Sequence, residues 1–440
     1  MSARETALDA LIACRKQAAW SNGVLKDYIA RDRLDRREAA LATRLCYGVL
    51  QHRGMLDFFL KQLLTGKIKD LHPVVRDILH LGIYQIYELD KIPDSAAVNE
   101  CVMLTKKYCR WQKGASGLVN AVLRNAVRTK GSLEQPTRLE DRYSHPKVLI
   151  DMLRESVGEE HLERMLSANN DVPLTVVQVN TLKTTTQALT AVLEQEGVTV
   201  LPHAWMPDCL ILTATGNIEF LQSFKDGLFY IQDAASKLVV MCAEIPAQEN
   251  TLVLDCCAAP GGKSFAAAIT LQGKGVVRAC DIHRHKTALI QNGADRMGLS
   301  NIWVREQDAT QNHGSWLNQM DVVLADVPCS GYGIIRKKPD IRYKDPKETE
   351  RLPELQLKIL CRQADYVKPG GVLMYSTCTL LKRENENVGA AFLRHRPDFF
   401  VETMPLPAVF GEEKTGMLTL IPGEYDTDGF FICRLRRKHV

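Results

Sequence analysis

Apolar residues recur at helical spacing through the first third of the chain: Ala7, Leu8, Leu11 and Ile12, then Leu41, Leu45 and Val49, then Leu56, Phe59, Leu60, Leu63 and Leu64. Ile78, Leu81 and Ile86 continue the pattern, as do Leu118, Val122 and Leu123. Steps of three and four residues place each set on one helix face. Ser2 followed by Glu5 forms a capping box for the first helix. Residues 1–140 therefore read as an all-helical bundle, and the polar stretch 131–144, broken by Pro136, reads as a linker.

A helical pattern to about Asn169 is followed by a strand-like run over 174–180, a helix from about Thr185 to Gln195, and short strands near 198–203, 209–213 and 228–232. These predict a small α+β module over 145–235. From about 250 the rhythm becomes strand–helix alternation, with apolar runs at 251–256, 275–281, 301–306, 321–326 and 371–376 and helical patterns near 263–271, 283–297 and 350–366. Alternation of that kind predicts a mostly parallel sheet covered on both faces. The fold class expected for residues 236–440 is therefore α/β and Rossmann-like, with Phe399–Met404 and Gly429–Leu435 as closing edge strands.

At 440 residues and 45% hydrophobic content the chain can bury more than one core. No apolar run approaches the roughly 18 residues of a membrane span, and Arg4, Glu5 and Asp9 interrupt any signal-peptide core, so a cytoplasmic protein is expected; separately, the chain is expected to act as a monomer. Thirteen cysteines without a CxxC pair suggest neither a disulfide framework nor a zinc site. The net charge of +4 is uneven: residues 1–140 hold 23 Lys+Arg against 15 Asp+Glu, and the rest 33 against 37. Within 101–130, Lys106, Lys107, Arg110, Lys113, Arg124, Arg128 and Lys130 stand without an acidic residue, with Tyr108 and Trp111 among them. Cations interleaved with rings suit a nucleic-acid backbone carrying unstacked bases; the alternative is a solvated helix face.

The stretch LDCCAAPGGKS at 254–264 ends like a phosphate-binding loop, but Cys257 stands where that motif needs its first glycine. A cysteine does not readily take the positive φ that wraps backbone N–H groups around phosphate. The GxGxxG fingerprint of NAD is absent as well. Asp281 ends the second strand, Asp308 follows the third and Asp326 ends the fourth, so three carboxylates converge where ligands of such sheets sit. Acids there suit ribose hydroxyls and an exocyclic amino group, and the cationic sulfonium of S-adenosylmethionine fits them better than a phosphate does.

DVPCSGYG at 326–333 and YSTCT at 375–379 each put a cysteine at the same end of the sheet. Neighbouring strands bring Cys329 and Cys378 together, although buried structural cysteine is the ordinary reading of either one alone. A thiolate adding to carbon 6 of cytosine makes carbon 5 nucleophilic toward a sulfonium methyl. An acid near N3, a role open to Asp326, would stabilise the charge that develops. The residues alone leave open which cysteine attacks.

LDCCAAPGGKS, ACD at 279–281, QDA at 307–309, DVPCSGYG followed by RKKPDIRY, and YSTCT together resemble the Sun/Nop family of RNA (cytosine-5) methyltransferases. The likeness extends over the whole chain to the bacterial Sun/Fmu type, which acts on 16S ribosomal RNA. It implies a class I methyltransferase domain over 236–440 and, with VNAVLRN at 119–125, a NusB-like RNA-binding domain over 1–140. The resemblance implies that Cys257, Ala258, Ala259, Pro260, Gly261, Gly262 and Lys263 form the S-adenosylmethionine loop, with Asp281 on the ribose, Asp308 near adenine and Asp326 at the transfer centre. It makes Cys378 the nucleophile and Cys329, despite the Pro-Cys context that DNA cytosine methyltransferases use for attack, the residue that assists release. Lys263 would orient the acidic cluster, and Arg336 with the cations after it would meet RNA. Small-subunit ribosomal RNA is the implied partner, with no metal and no membrane; the alternative is an RNA-binding or antitermination-type protein whose methyltransferase domain is inert. The chain departs from the family at Cys256, where Leu is usual, at Val327, where Ala is usual, and at Gln178, where Arg is usual and would charge an RNA-facing strand.

Overall fold

The computed structural model describes residues 1–17, 21–411 and 415–439. It divides into two compact units, Met1–Asp171 with Ile335–Lys344, and Val172–Ile334 with Asp345–Val440. In the first unit the helices Ala3–Gln17, Arg36–Leu63, Pro73–Glu88, Asp94–Tyr108 and Ala115–Arg128 bury the stripe residues Leu8, Leu45, Val49, Leu60, Ile78, Leu81, Val122 and Leu123 together. Asp35 caps the longest helix by accepting from Glu38 N at 2.8 Å, and Pro73 opens the next, where a missing N–H costs nothing. Gly48 lets the long helix pass the Tyr84 ring: a Cβ there would lie 2.0 Å from it.

Residues beyond the polar stretch, in helices Lys147–Val157 and Glu159–Ala168, also belong to this unit. Its segment 335–344 carries Arg342, 1% exposed, whose guanidinium donates to Gln51 O at 2.9 Å, Asn170 Oδ1 at 2.8 Å, Asn169 O at 3.2 Å and Ser144 O at 3.3 Å. One buried cation thus satisfies backbone acceptors from three places distant in sequence.

In the second unit β1 (Thr175–Val179), β2 (Thr199–Pro202), β3 (Cys209–Thr213) and β4 (Phe229–Ile231) form an antiparallel sheet in the order β2-β3-β1-β4. The larger sheet contains β5 (Thr251–Asp255), β6 (Gly275–Asp281), β7 (Ile302–Glu306), β8 (Met320–Asp326), β9 (Val367–Thr377), β10 (Phe399–Val401), β11 (Met417–Leu420) and β12 (Phe430–Arg437). Its order is β10-β12-β9-β8-β5-β6-β7, with β11 also on β12, and β5 to β9 run parallel. The expectation that Gly429–Leu435 closes an edge is corrected: β12 pairs β9 on one side and β10 and β11 on the other. Its first six residues are all buried, so its apolar run reflects an interior strand, not an edge.

Candidate active site

All five parallel strands end on one margin of the sheet. Asp255 ends β5, Asp281 ends β6, Asp308 lies two residues past β7, Asp326 ends β8, and Cys378 follows β9. Between β5 and the helix Gly262–Thr270, the loop with Cys257, Ala258, Ala259 and Pro260 turns at Gly261, whose φ is 116°. A Cβ on Gly261 would meet the Phe265 ring at 2.4 Å, so the turn requires glycine. Ala259 N and His283 N donate to the two oxygens of Asp281 at 3.4 and 3.0 Å, fixing that carboxylate at the mouth of the loop. Asp308 Oδ1 accepts from Thr310 N and Oγ1, both at 2.8 Å. Lys263, 6% exposed, points at neither a loop amide nor solvent: its Nζ lies 2.7 Å from Asp326 Oδ2 and 2.7 Å from Ser236 Oγ.

Asp326 Oδ1 accepts in turn from Ser376 Oγ at 2.9 Å, across the β8–β9 register. Three residues on, Cys329 Sγ lies 3.2 Å from Cys378 Sγ. All thirteen cysteines are free thiols; eight are buried, and these two are among the five that retain some exposure. The hydrogen bond to Cys378, together with burial, pushes the Cys329 thiol well above its ordinary value. Cys256, buried and 3.9 Å from Cys257 by sulfur, is likewise pushed up.

Under the two sulfurs lies a polar network that the sequence reading did not anticipate. Glu384 Oε2 accepts from Ser330 N at 2.9 Å and from Gln356 Nε2 at 3.0 Å, and Gln356 also donates to Pro328 O at 3.0 Å. Asn385 accepts from Thr377 Oγ1 at 2.6 Å and donates to Thr379 O at 3.0 Å. The signal available in sequence was the acid–amide pair in KRENEN, close after Cys378 and on no strand. Ser236 and Ser376 were also missed, since small hydroxyls carry no pattern of their own.

Family models match along the chain: the NusB family over residues 1–128, the ferredoxin-like domain of RsmF/B-like methyltransferases over 145–219, and 16S rRNA methyltransferase RsmB/F over 243–436. A relative from Bacillus subtilis, named probable ribosomal RNA small subunit methyltransferase B, is 38% identical over 99% of both chains. The chain belongs to the RsmB/F family of 16S rRNA methyltransferases. Its fold combines the NusB-like helical domain, the ferredoxin-like module and the Rossmann-like, S-adenosylmethionine-dependent methyltransferase domain of that family. Among solved structures, PH0851 superposes with a TM-score of 0.82 at 23% identity, covering 99% of both chains. NSun6 from Pyrococcus horikoshii with SFG superposes with a TM-score of 0.57 at 21% identity, covering 66% of this chain and 98% of that one.

Against the RsmB/F background three expectations change. Gln178 is 0% exposed, and its amide donates to Cys209 Sγ at 3.1 Å and Gln232 O at 3.0 Å. It therefore fills the interior beneath β1 and takes no charge from an RNA-facing surface. Arg336 is 7% exposed, so its guanidinium is not a surface cation. Lys107 pairs with Glu5 and Lys130 with Asp94, acids distant in sequence. Lys106, Arg110, Lys113 and Arg124 remain exposed on the first unit, beside a Trp111 that is 60% exposed. Cys256 and Val327 are buried, as apolar replacements at strand ends should be. Among the described residues no helix is long and apolar enough to cross a membrane, and no cluster of His, Cys, Asp and Glu could hold a metal ion.

Proposed function

We propose that this protein methylates carbon 5 of a cytosine in small-subunit ribosomal RNA through a covalent cysteine adduct. The observation that carries the reading is the 3.2 Å approach of Cys329 and Cys378 beside Asp326. A structural or RNA-binding role calls for no pair of accessible thiols next to a carboxylate–ammonium pair. The relative named for small-subunit ribosomal RNA supports the substrate class, and the NSun6 structure with SFG, an S-adenosylmethionine analogue, supports the cofactor.

The donor set fits S-adenosylmethionine. The Asp281 carboxylate uses one backbone N–H on each oxygen and retains lone pairs for a ribose diol, Asp308 stands at the neighbouring strand end, and the glycine turn keeps the loop open. When bound there, S-adenosylmethionine supplies the electrophilic methyl group that carbon 5 takes up.

Cys378 loses its proton and its sulfur bonds to carbon 6, which makes carbon 5 nucleophilic. The family resemblance assigns the attack to Cys378, with the Cys329 sulfur 3.2 Å away. Negative charge gathers at N3 during addition, and the Asp326 side chain with Lys263 Nζ hydrogen-bonded to it at 2.7 Å is the pair that stabilises it. After methylation the carbon 5 proton passes to water entering the cleft, the electrons of that C–H bond re-form the C5–C6 double bond, and the C6–S bond breaks with its electron pair to return Cys378 as thiolate. Cys329, beside that leaving sulfur, assists this release. The base reaches the cleft by leaving its stack.

The test separates the cysteines. Cys329→Ala is expected to trap an RNA adduct that survives denaturing electrophoresis, and Cys378→Ala to abolish both adduct and methylation. Adduct accumulating on Cys378→Ala reverses the roles; bisulfite sequencing that shows no cytosine losing its methylation when the gene is deleted removes the carbon 5 reading.

A further inference from the structure

The polar network beneath the thiols is arranged by flanks. The two residues on either side of Cys329, Pro328 and Ser330, are both tied into the Gln356–Glu384 pair, at 2.9 to 3.0 Å. The two residues on either side of Cys378, Thr377 and Thr379, are both tied to the next residue in sequence, Asn385, at 2.6 and 3.0 Å. Ser330 Oγ and Thr379 Oγ1 meet at 2.7 Å and join the halves. Tyr375 OH donates to Glu384 O and anchors the pair from β9. Glu384, Asn385, Gln356, Thr377 and Thr379 are each 0% exposed, while both sulfurs retain some exposure.

Resting on the two-cysteine reading above, we infer that Glu384 and Asn385 are positioning residues that set the separation of the two thiols, Glu384 aiming Cys329 and Asn385 aiming Cys378. A buried carboxylate without a cationic partner in its hydrogen bonds is expensive to retain. Here it accepts a backbone N–H from the residue after Cys329, a contact an apolar side chain could not make. Adjacent residues on one short turn fix both loops, so the register between them follows from backbone geometry and not from either loop's own stiffness. Both side chains are 0% exposed and bond to the loops, so each acts through the loop it holds.

The experiment uses full-length protein with small-subunit particles and deproteinised RNA from cells lacking the gene. Asn385→Ala should lower kcat about 10²-fold, as expected for a reacting atom displaced by about 1 Å, with KM for RNA within roughly 3-fold. In a Cys329→Ala background it should slow adduct formation by a similar factor. Glu384→Ala should leave adduct formation in that background within roughly 2-fold, yet accumulate adduct when Cys329 is present, because release alone has lost its aim. Glu384 Oε1 has no hydrogen-bond partner among the described residues, so Glu384→Gln keeps the accepting oxygen and should recover most of the loss. Should the alanine variants fail to fold, Thr377→Val, isosteric and lacking one Asn385 bond, carries the test with an intermediate loss of kcat. Equal slowing of adduct formation by Glu384→Ala and Asn385→Ala, or a rise in KM alone, overturns the assignment. If Cys329→Ala traps no adduct or Cys378→Ala stays active, the two-cysteine reading itself has failed and the positioning role falls with it.

Discussion

Asp255 offers a quantitative test of the electrostatics behind the loop. It ends β5 at 0% exposure; its Oδ2 accepts from Ser264 Oγ at 2.7 Å, and its Oδ1 has no hydrogen-bond partner among the described residues. Burial, with the nearby Asp326 adding to it and Ser264 and Lys263 opposing, raises the carboxyl from 3.8 to about 7. The unfolded chain ionises this group near its ordinary value, so between about pH 4 and pH 7 the folded state holds a proton that the unfolded state has released. Stability therefore falls as pH rises through that window, and the penalty is complete above the folded value. About three units at ~1.4 kcal/mol each set its ceiling near 4 kcal/mol. Asp255→Asn keeps the shape and an oxygen for Ser264 but carries no titrating proton. The variant is expected to exceed wild type by about 2 to 4 kcal/mol at pH 8 and to lose most of that advantage by pH 5. Urea unfolding followed by circular dichroism at pH 5, 6, 7 and 8 reads the gap. A gap that stays constant with pH, or a variant less stable than wild type at pH 8, would refute the buried-proton argument.

Arg342→Met removes the donor that satisfies the carbonyls of Gln51, Ser144 and Asn169 and leaves them orphaned; a loss of about 3 kcal/mol from the first unit is expected, read from urea midpoints, and a loss under about 1 kcal/mol would show that they find other partners. Burial lowers the Arg342 guanidinium to about 10, which leaves it charged at neutral pH, so Arg342→Lys should retain the charge but not the fork, and fall in between. Charge reversal at Lys106, Arg110 and Lys113 together should weaken binding of small-subunit RNA and make the plot of log K against log salt shallower by about 2, the sum of three single-strand phosphate contacts. Filter binding across a potassium chloride series measures it; an unchanged slope would mean that these cations face solvent and not the RNA backbone.

Local pattern was enough for much of this protein. The 3.6-residue stripes of the first third bury the residues they name, the strand–helix alternation after 250 is the parallel sheet, and the aspartates at 281, 308 and 326 stand at the carboxyl ends of its strands, because periodicity and strand ends are properties of neighbouring residues. The YSTCT and DVPCSGYG motifs likewise marked the two thiols, since β8 and β9 are adjacent in the sheet. What the chain does between distant positions had to come from tertiary structure. Gln178 lies inside because β1 is covered on the face where a charged residue was expected. Lys107 is paired because Glu5, about a hundred residues earlier, packs against its helix. The 3.2 Å sulfur separation, and the flanking grip of Gln356, Glu384 and Asn385 on the two loops, depend on side chains from four segments meeting in one buried network. Hydrogen bonds of that kind are set by register and packing across the sheet, and no spacing along the sequence encodes them.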